Sequence, residues 1–238
     1  MTEATLQPPV PYATLQAITG DENLLVLVLV PGPGEESRDC GGLIAESCQR
    51  GRPPFVMVLG DGSGSHPHSA EYPPDRLANL HERETRAAME RLGLPHGRLL
   101  MAGVHDGHIP AGGAGFDAVV RGVTLVMWAR DCNVICAPWP GPDDGGGRGA
   151  TWRIARAVSG TSGVGLLAYA AGDGVPAGAA GAWRLDISGQ LAAKRAAVAA
   201  HASWLGQVVL DDPAPQPFDP GEAACAQPHE TFLRPAAG

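Results

Sequence analysis

The sequence has little basic charge, with 17 Lys and Arg residues against 25 Asp and Glu residues and a net charge of −8. Nucleic-acid-binding proteins carry clustered Lys and Arg, and no such stripe occurs here, so we expect no nucleic-acid partner. The sequence also lacks an apolar run of about 18 residues, the length that a membrane-spanning helix requires. Its first residues carry neither the basic nor the apolar segment of a secretory signal. We therefore expect a cytoplasmic protein without a membrane span.

Paired cysteines and two common nucleophile motifs are missing as well. The five cysteines, at positions 40, 48, 132, 136 and 225, form an odd set without a C-x-x-C motif. We expect reduced, mostly buried thiols rather than a disulfide framework or a zinc ribbon. There is no G-x-S-x-G elbow and no Walker-type phosphate loop, which argues against an α/β-hydrolase and a P-loop enzyme.

The sequence does contain an alternation of apolar strands and amphipathic helices. Its centre is the Val-rich run Leu24 to Val30, which reads as a strand buried on both faces. A Pro-Gly turn follows, and Glu35 and Glu36 then open a helix that runs to about Gly51. The pattern predicts further strands at 55–59, 98–104, 133–137 and 164–169, a possible edge strand in WRLDIS, and helices at 74–93, 116–130, 151–159 and 190–205.

This alternation predicts one α/β domain over residues 1–238, with a Rossmann-like, doubly wound, mainly parallel sheet and helices on both faces. Residues 1–23 are expected to be a lead-in and residues 207–238 a packed but irregular tail. Because β-to-α loops of a parallel sheet share one edge, we expect the loops 32–36, at Asp61, at Asp106 and 143–147 to meet there. Ligands bind at this edge in such folds.

Polar side chains on this edge could form a metal site or a nucleotide site. The candidate ligands for a metal are Asp61, His66, His68, His105, Asp106, His108, Asp143 and Asp144, although histidines on polar loops are more often solvated. Gly32-x-Gly34-x-x-Ser37 partly matches a dinucleotide fingerprint. However, Ser replaces the third Gly, and Glu35 and Glu36 put negative charge where a pyrophosphate would bind.

Several segments, taken in order and spacing, resemble the PIG-L/LmbE-like zinc-dependent N-deacetylases, which remove acetyl groups from amino sugars and related glycosides. They are PGPGEES with CGGLIA, LGDGSGSHP, PPDRLANLHERETRAAMERLG, HDG, NVICAPWPGP, WRIA, WRLDIS, KRAAVAAH and ETFLRP. The resemblance covers nearly the whole chain. It implies a Rossmann-like fold, a zinc cofactor in the family, and an N-acetylated sugar or glycoside as the ligand.

The resemblance also implies that the metal site of this chain is degenerate. The first strand of the family ends in His-Pro-Asp-Asp-Glu, where the His and the second Asp bind zinc and the first Asp is the general base. The matching positions here are Gly32 and Glu35 for these ligands and Gly34 for the base, and the third ligand position falls on Gly147. A catalytic zinc needs about three protein ligands, and only Glu35 remains.

A catalytically impaired relative, or pseudoenzyme, is therefore expected, which could still bind a glycoside or act as an interaction subunit. The alternative is an active amide hydrolase with a rearranged metal site. The resemblance gives Asp106, Asp144 and His81 as substrate-binding candidates, His81 standing where the family has an Arg. His201 matches a family position but suits helix packing, and Trp139 and Trp152 suit the core.

Overall fold

The computed structural model describes residues 10–19, 25–140, 146–171, 181–212 and 227–235, which contain one mainly parallel eight-stranded sheet. Its order is β1-β7-β8-β6-β5-β2-β3-β4, and every neighbouring pair is parallel except those of β8, which runs antiparallel to β6 and β7. The strands are β1 Tyr12–Ala13, β2 Val26–Val30, β3 Phe55–Gly60, β4 Leu99–Val104, β5 Val134–Pro138, β6 Gly165–Tyr169, β7 Ala182–Asp186 and β8 His229–Leu233.

Helices cover both faces of the sheet, as predicted. The helices α2, α3 and α6 contribute to the core on one face, and α4 and α5 contribute to the core on the other. A short 3-10 turn at His96–Arg98 precedes β4. The helices are α1 Leu15–Thr19, α2 Glu35–Gln49, α3 Pro74–Arg91, α4 Gly113–Ala129, α5 Gly147–Ser162 and α6 Leu191–Ala199.

The strand β2 lies inside the parallel part of the sheet, between β5 and β3. All five of its residues are buried. Because successive strand side chains point to opposite faces, Val26, Val28 and Val30 enter one core while Leu27 and Leu29 enter the other. This explains why the strand reads as a continuous apolar run, and it confirms the strand predicted there.

The two ends of the chain are more regular than predicted. The lead-in contains β1 and α1, and β1 pairs with β7, so WRLDIS forms an internal strand and not an edge strand. The predicted irregular tail contains β8, which inserts between β7 and β6. The strand β8 is polar over His229, Glu230 and Thr231, so it lacks the apolar run that marks the predicted strands, and the sequence pattern did not reveal it.

Three helix boundaries also differ from the sequence prediction. The helix α5 begins at Gly147 instead of residue 151, and α4 begins at Gly113 instead of residue 116. The helix α6 ends at Ala199, six residues before the predicted end. The first two starts are rich in glycine, which has low helix propensity, so the sequence indicates loop there. The earlier start of α5 places Arg148 on the helix.

Two further expectations concern membrane spans and the state of the cysteines. No helix among the described residues is long and apolar enough to cross a membrane. Of the five cysteines, the four that the structure describes are free thiols, and Cys225 lies outside the described residues. Burial raises the pKa of the Cys48 and Cys132 thiols to about 11, which disfavours the reactive thiolate.

The strand β8 is fixed to α2 and α6 by a buried carboxylate. Glu230 accepts hydrogen bonds from the backbone N–H groups of Gly42 (2.7 Å) and Leu43 (2.8 Å), and from Nζ of Lys194 at 2.7 Å. Lys194 is the only lysine in the sequence and is almost fully buried. Gly42 also allows Ile187 to pack closely on α2, because a Cβ at position 42 would overlap the side chain of Ile187. A buried charge needs such a partner set to be tolerated.

Replacing Gly42 with Ala should therefore destabilise the protein by about 1–3 kcal/mol, since overpacking outweighs the gain in helix propensity. Gly122→Ala is the matched control, because Gly122 also lies inside a helix and a Cβ there meets nothing within 4 Å. The control should be neutral or stabilising by up to about 1 kcal/mol. Urea unfolding measures both. Equal effects of the two substitutions would contradict this packing of α2.

Candidate functional site

The described β-to-α loops meet at one edge of the sheet, as predicted, and enclose a cavity of about 290 Å³. Residues from the ends of β2, β3 and β4 and from the start of α5 contribute to it. Asp143 and Asp144, which were expected at this edge, lie outside the described residues. The cavity is lined by Gly32, Pro33, Glu35, Arg38, Gly62, Asp106, Arg148 and Trp204.

Backbone hydrogen bonds hold these loops together. The N–H of Gly60 donates to the carbonyl of Pro31 at 2.8 Å, so the ends of β2 and β3 stay in contact. The Oδ1 atom of Asp61 accepts from the N–H groups of Ser63 (2.9 Å) and Asp106 (3.0 Å). Burial opposes the charge of Asp61, but these hydrogen bonds outweigh it and hold the pKa of Asp61 below its usual value. Asp61 thus fixes the loop that carries Asp106.

Two carboxylates and two guanidinium groups form an ion-pair network beside the cavity, which we call the charge quartet: Glu35, Arg38, Asp39 and Arg148. All except the fully buried Asp39 line the cavity. Nη1 of Arg148 donates to Oε2 of Glu35 at 2.5 Å and to Oδ2 of Asp39 at 2.8 Å. Arg38 binds both oxygens of Asp39, through Nε at 2.8 Å and Nη2 at 2.9 Å. The quartet has no net charge, which favours its burial.

The Asp39 carboxylate is the most enclosed member of the quartet, with a fully buried side chain. Burial opposes its ionisation, but Arg38 and then Arg148 outweigh burial and hold the pKa of Asp39 below its usual value. Arg148 also lies over the ring of Tyr169, 5.6 Å from the centroid, and Tyr169 is fully buried. The guanidinium of Arg148 is therefore held by contacts on several sides.

At the positions that the resemblance assigns to metal ligands, the described side chains do not fit a zinc ion. Gly32 and Gly147 offer no side-chain ligand atom, and the carboxylate of Glu35 is bound by Arg148. No group of three His, Cys, Asp or Glu side chains that could hold a metal ion occurs among the described residues. The two glycines still lie near each other, since a Cβ on Gly147 would be 3.6 Å from Cβ of Pro31.

Gly34, which the resemblance assigns to the position of the general base, directly precedes α2 and lies in the left-handed region, with φ of 93°. A non-glycine residue would be strained there. Its N–H donates to Oε2 of Glu36 at 2.7 Å. Glu36 in turn lies 2.9 Å from Nε2 of His201, and all of these atoms are buried. The helix N-terminus that a nucleotide phosphate would use is thus partly capped by an internal carboxylate.

The histidines predicted at this edge lie apart from the charge quartet. His68, His105 and His108 are exposed, and the rings of His105 and His108 stand 5.3 Å apart. His66 is buried. His81 is fully buried and stacks on Trp204 at 4.8 Å, so it borders the cavity through that ring.

The two tryptophans assigned to the core, Trp139 and Trp152, contact each other at 5.4 Å and pack with the core cluster that contains Leu27 and Leu29.

Sequence reasoning missed three members of the quartet. Arg38 and Asp39 lie within the segment quoted for the family resemblance, but nothing in their spacing distinguishes them from solvated helix charges. The sequence predicts a glycine-rich loop at Arg148, because glycine has a low helix propensity. The sequence does contain one signal for a nearby cation. Glu35 and Asp39 lie one helical turn apart at the start of a buried helix, and two buried carboxylates need a positively charged partner.

No protein-family model matches the sequence, and no curated protein sequence matches it. Solved structures do match. The A40926 pseudoaglycone deacetylase Dbv21 aligns with a TM-score of 0.67 and 15% identity, covering 91% of this chain and 100% of that one. The N,N'-diacetylchitobiose deacetylase from Pyrococcus horikoshii aligns with a TM-score of 0.64 and 17% identity, covering 79% of this chain and 73% of that one.

A third similar structure is GalB, the 4-carboxy-2-hydroxymuconate hydratase from Pseudomonas putida KT2440, with a TM-score of 0.57, 15% identity, and coverage of 75% of this chain and 79% of that one. These identities establish a shared fold. The structural neighbours confirm that the chain has the fold of the PIG-L/LmbE-like deacetylases. Because a hydratase has this fold too, the fold alone does not decide the reaction.

Asp39→Asn tests the charge quartet through the pH dependence of stability. A carboxyl whose pKa is lowered on folding stabilises the protein above its unfolded pKa of about 3.9 and loses that effect as pH falls through its folded pKa. The variant should lose about 3–5 kcal/mol at pH 7, because it leaves buried guanidinium charge unpaired. The difference from the unsubstituted protein should shrink below about pH 4.

Urea unfolding between pH 7 and pH 2.5 measures this difference. Asp117→Asn, at an exposed position on α4, is the control and should change stability by less than about 0.5 kcal/mol at every pH. A difference for Asp39→Asn that stays constant down to pH 2.5 would show that the Asp39 charge does not stabilise the fold.

Proposed function

We propose that the protein is a member of the PIG-L/LmbE-like N-deacetylase family that has lost zinc-dependent hydrolysis and keeps the family's cleft as a binding site for an N-acetylated sugar. The observation that carries this proposal is the ion pair between Arg148 and Glu35. Arg148 directly follows the third ligand position, Gly147, and its guanidinium binds the carboxylate at the second ligand position.

A guanidinium can replace the charge of a metal ion without replacing its chemistry. It remains protonated at any physiological pH, and together with Arg38 it balances the charges of Glu35 and Asp39, so these carboxylates stay buried without a metal. It has no open coordination position for water and cannot act as a Lewis acid. Gly34 also provides no general base. Binding is thus retained in this proposal while hydrolysis through zinc is lost.

The lining of the cavity supports a sugar as the ligand. Trp204 offers an aromatic surface, and the carboxylate of Asp106 can accept hydrogen bonds from hydroxyl groups. Arg148 also lines the cavity, and its side chain is 26% exposed, so a ligand can contact it. Its guanidinium carries only hydrogen-bond donors, which suits an acceptor oxygen such as an acetamido carbonyl. At about 290 Å³ the cavity is at the lower end of ligand pockets, which suits one sugar ring.

Two alternatives predict different ligands. An active amide hydrolase with a rearranged metal site would bind zinc with other side chains, and it would release acetate in a chelator-sensitive manner. A Rossmann-like nucleotide-binding protein would bind a phosphate at the start of α2. The hydrogen bond from Gly34 to Glu36 disfavours the second alternative, because a carboxylate already takes the N–H that a phosphate would need.

Restoring the ligands should restore zinc binding only when Arg148 is removed. We expect Gly32→His with Gly147→His and Arg148→Met to bind one zinc ion per chain, about 10–100-fold more tightly than the double variant that keeps Arg148. The reason is charge, since the guanidinium occupies Glu35 and repels a second cation. Both glycines accept a Cβ without a close contact. Isothermal titration calorimetry measures the affinity.

The matched control moves one histidine by one residue, from position 147 to 146, where a Cβ also meets nothing within 4 Å. The control should bind zinc much more weakly, because zinc requires a defined ligand geometry. If neither triple variant binds zinc while both remain folded, the ligand positions assigned from the family do not converge. In that case the role given to Arg148 would have to be abandoned.

The sugar-binding part is tested with N-acetylglucosamine, with glucose and ADP as comparison ligands. We expect saturable binding of N-acetylglucosamine alone, because the proposed cleft accommodates a sugar ring and its acetamido carbonyl. Asp106→Ala should weaken binding about 10-fold, as expected for the loss of about 1.4 kcal/mol of hydrogen bonding. Asp117→Asn should leave it unchanged. Ligand-observed NMR measures the affinities, and saturable ADP binding instead would favour the nucleotide alternative.

A further inference from the structure

A second polar cluster borders the cavity behind Trp204, outside the charge quartet. The hydroxyl of Ser65 lies 2.8 Å from Nε2 of His81. On the other side of the His81 ring, Nδ1 is 3.6 Å from Oε2 of Glu84, and Oγ of Ser203 stands between them, 3.4 Å from Nδ1 and 2.5 Å from Oε2. A hydroxyl, an imidazole and a carboxylate therefore lie in a row.

The hydrogen bonds indicate which atoms of this row carry the protons. Ser65 also lies 2.8 Å from Nδ1 of His66. A hydroxyl has one proton, so all partners are satisfied when His66 donates to Ser65 and Ser65 donates to Nε2 of His81. The His81 proton is then on Nδ1, facing Ser203 and Glu84. In this tautomer Nε2 is free to accept a proton from the serine.

The carboxylate end of the row is ionised. Glu84 is mostly buried, and its Oε1 atom accepts a hydrogen bond from the N–H of Ser203 at 2.8 Å. Burial opposes its charge, but His81 and the hydrogen bonds from Ser203 outweigh burial and keep the pKa of Glu84 below its usual value. A negative charge behind the imidazole favours the protonated ring that forms when a base accepts a proton.

The surrounding residues place this row next to the cavity. Gly62, which lines the cavity, has φ of 72°, and a Cβ on it would be 2.6 Å from Cδ2 of His81. A Cβ on Gly64 would lie 3.2 Å from Oδ2 of Asp106, another lining residue. Ser65 itself is partly exposed. The two glycines let the imidazole and the loop carrying the serine approach the cavity wall.

We propose that Ser65, His81 and Glu84 form a metal-independent acyl-transfer centre for esters, with Ser65 as the nucleophile, His81 as the base and Glu84 as a positioning residue. Esters are the favoured class because an alcohol leaves more readily than an amine. This centre is independent of the zinc chemistry and goes beyond the sugar binding proposed above. Ser65 and His81 take part directly in the reaction, and Glu84 acts by orienting His81.

The reaction needs only the ester and water. Oγ of Ser65 attacks the carbonyl carbon while its proton moves to Nε2 of His81. The bond between the carbonyl carbon and the alcohol oxygen then breaks, and the departing alcohol takes the proton from His81. Water attacks the acyl-serine in the same way, which releases the carboxylic acid and regenerates the serine hydroxyl. Glu84 keeps the imidazole oriented through both steps.

The test is covalent labelling of the purified full chain with a fluorophosphonate, followed by peptide mapping, and hydrolysis of p-nitrophenyl acetate in the presence of EDTA. We expect one label per chain on Ser65 and a loss of hydrolysis of at least about 100-fold in Ser65→Ala. Ser69→Ala is the matched control, because Ser69 lies on the same loop with its hydroxyl bonded to Asp211. It should retain full activity.

Glu84→Gln should lower kcat for the ester and leave KM unchanged, while the melting temperature shows that the variant is folded. A merely structural role of Glu84 would change stability without this split between kcat and KM. Failure of Ser65 to be labelled, or undiminished hydrolysis by Ser65→Ala, would overturn the proposal. Zinc and sugar measurements do not depend on this outcome, so the two proposals can fail separately.

Discussion

The contact between Arg148 and the carboxylates of Glu35 and Asp39 is the interaction on which the candidate site depends. These carboxylates stand in the first turns of α2, directly beyond the central strand, where they cannot be buried without a counter-charge. Arg148 supplies it from the start of α5, and Arg38 completes the pairing of Asp39. The two helices are thereby joined across the carboxyl ends of β2 and β5. The cavity lies against this joint, so its polar wall follows from the same four residues.

Fold and chemistry are separable in this protein. The sheet depends on the continuous apolar run of β2 and on buried contacts such as that between Lys194 and Glu230, and none of these involves the positions that the resemblance assigns to metal ligands. A chain can therefore lose zinc ligands and keep the arrangement of loops around the cavity. The deacetylases and the hydratase that have this fold illustrate the same independence of reaction and architecture.

The order of the central strands and helices could be predicted from the sequence, because the spacing of apolar residues indicates which side chains are buried. The Val-rich run of β2 indicates a strand buried on both faces. In α3 the spacing of Leu77, Leu80 and Ala88 indicates the buried face of the helix. The strands β1 and β8 could not be predicted, since β1 has only two residues and β8 is polar over His229 to Thr231. Their positions are decided by tertiary pairing.

The candidate site could be predicted from the sequence only in part. The family resemblance predicts Gly32, Gly34 and Gly147 at the ligand and base positions, and these assignments stay predictions, whereas no signal in the sequence indicates that Arg148 pairs with Glu35. The contact of Arg148 with Glu35 joins residues 113 positions apart and depends on a helix that starts in a glycine-rich segment. The row from Ser65 to Glu84 could not be predicted for a related reason. A serine on a loop becomes a candidate nucleophile only when an imidazole lies beside it, and that contact is made by tertiary structure.

Metal content tests the central claim most directly. The full-length protein, expressed in zinc-supplemented medium, purified without chelator and dialysed extensively, should contain far less than one zinc ion per chain by atomic emission spectrometry. Arg148 and Arg38 provide the positive charge that Glu35 and Asp39 require, so these two carboxylates are not available to a metal. One zinc ion per chain that survives dialysis would contradict the account and would favour a rearranged metal site.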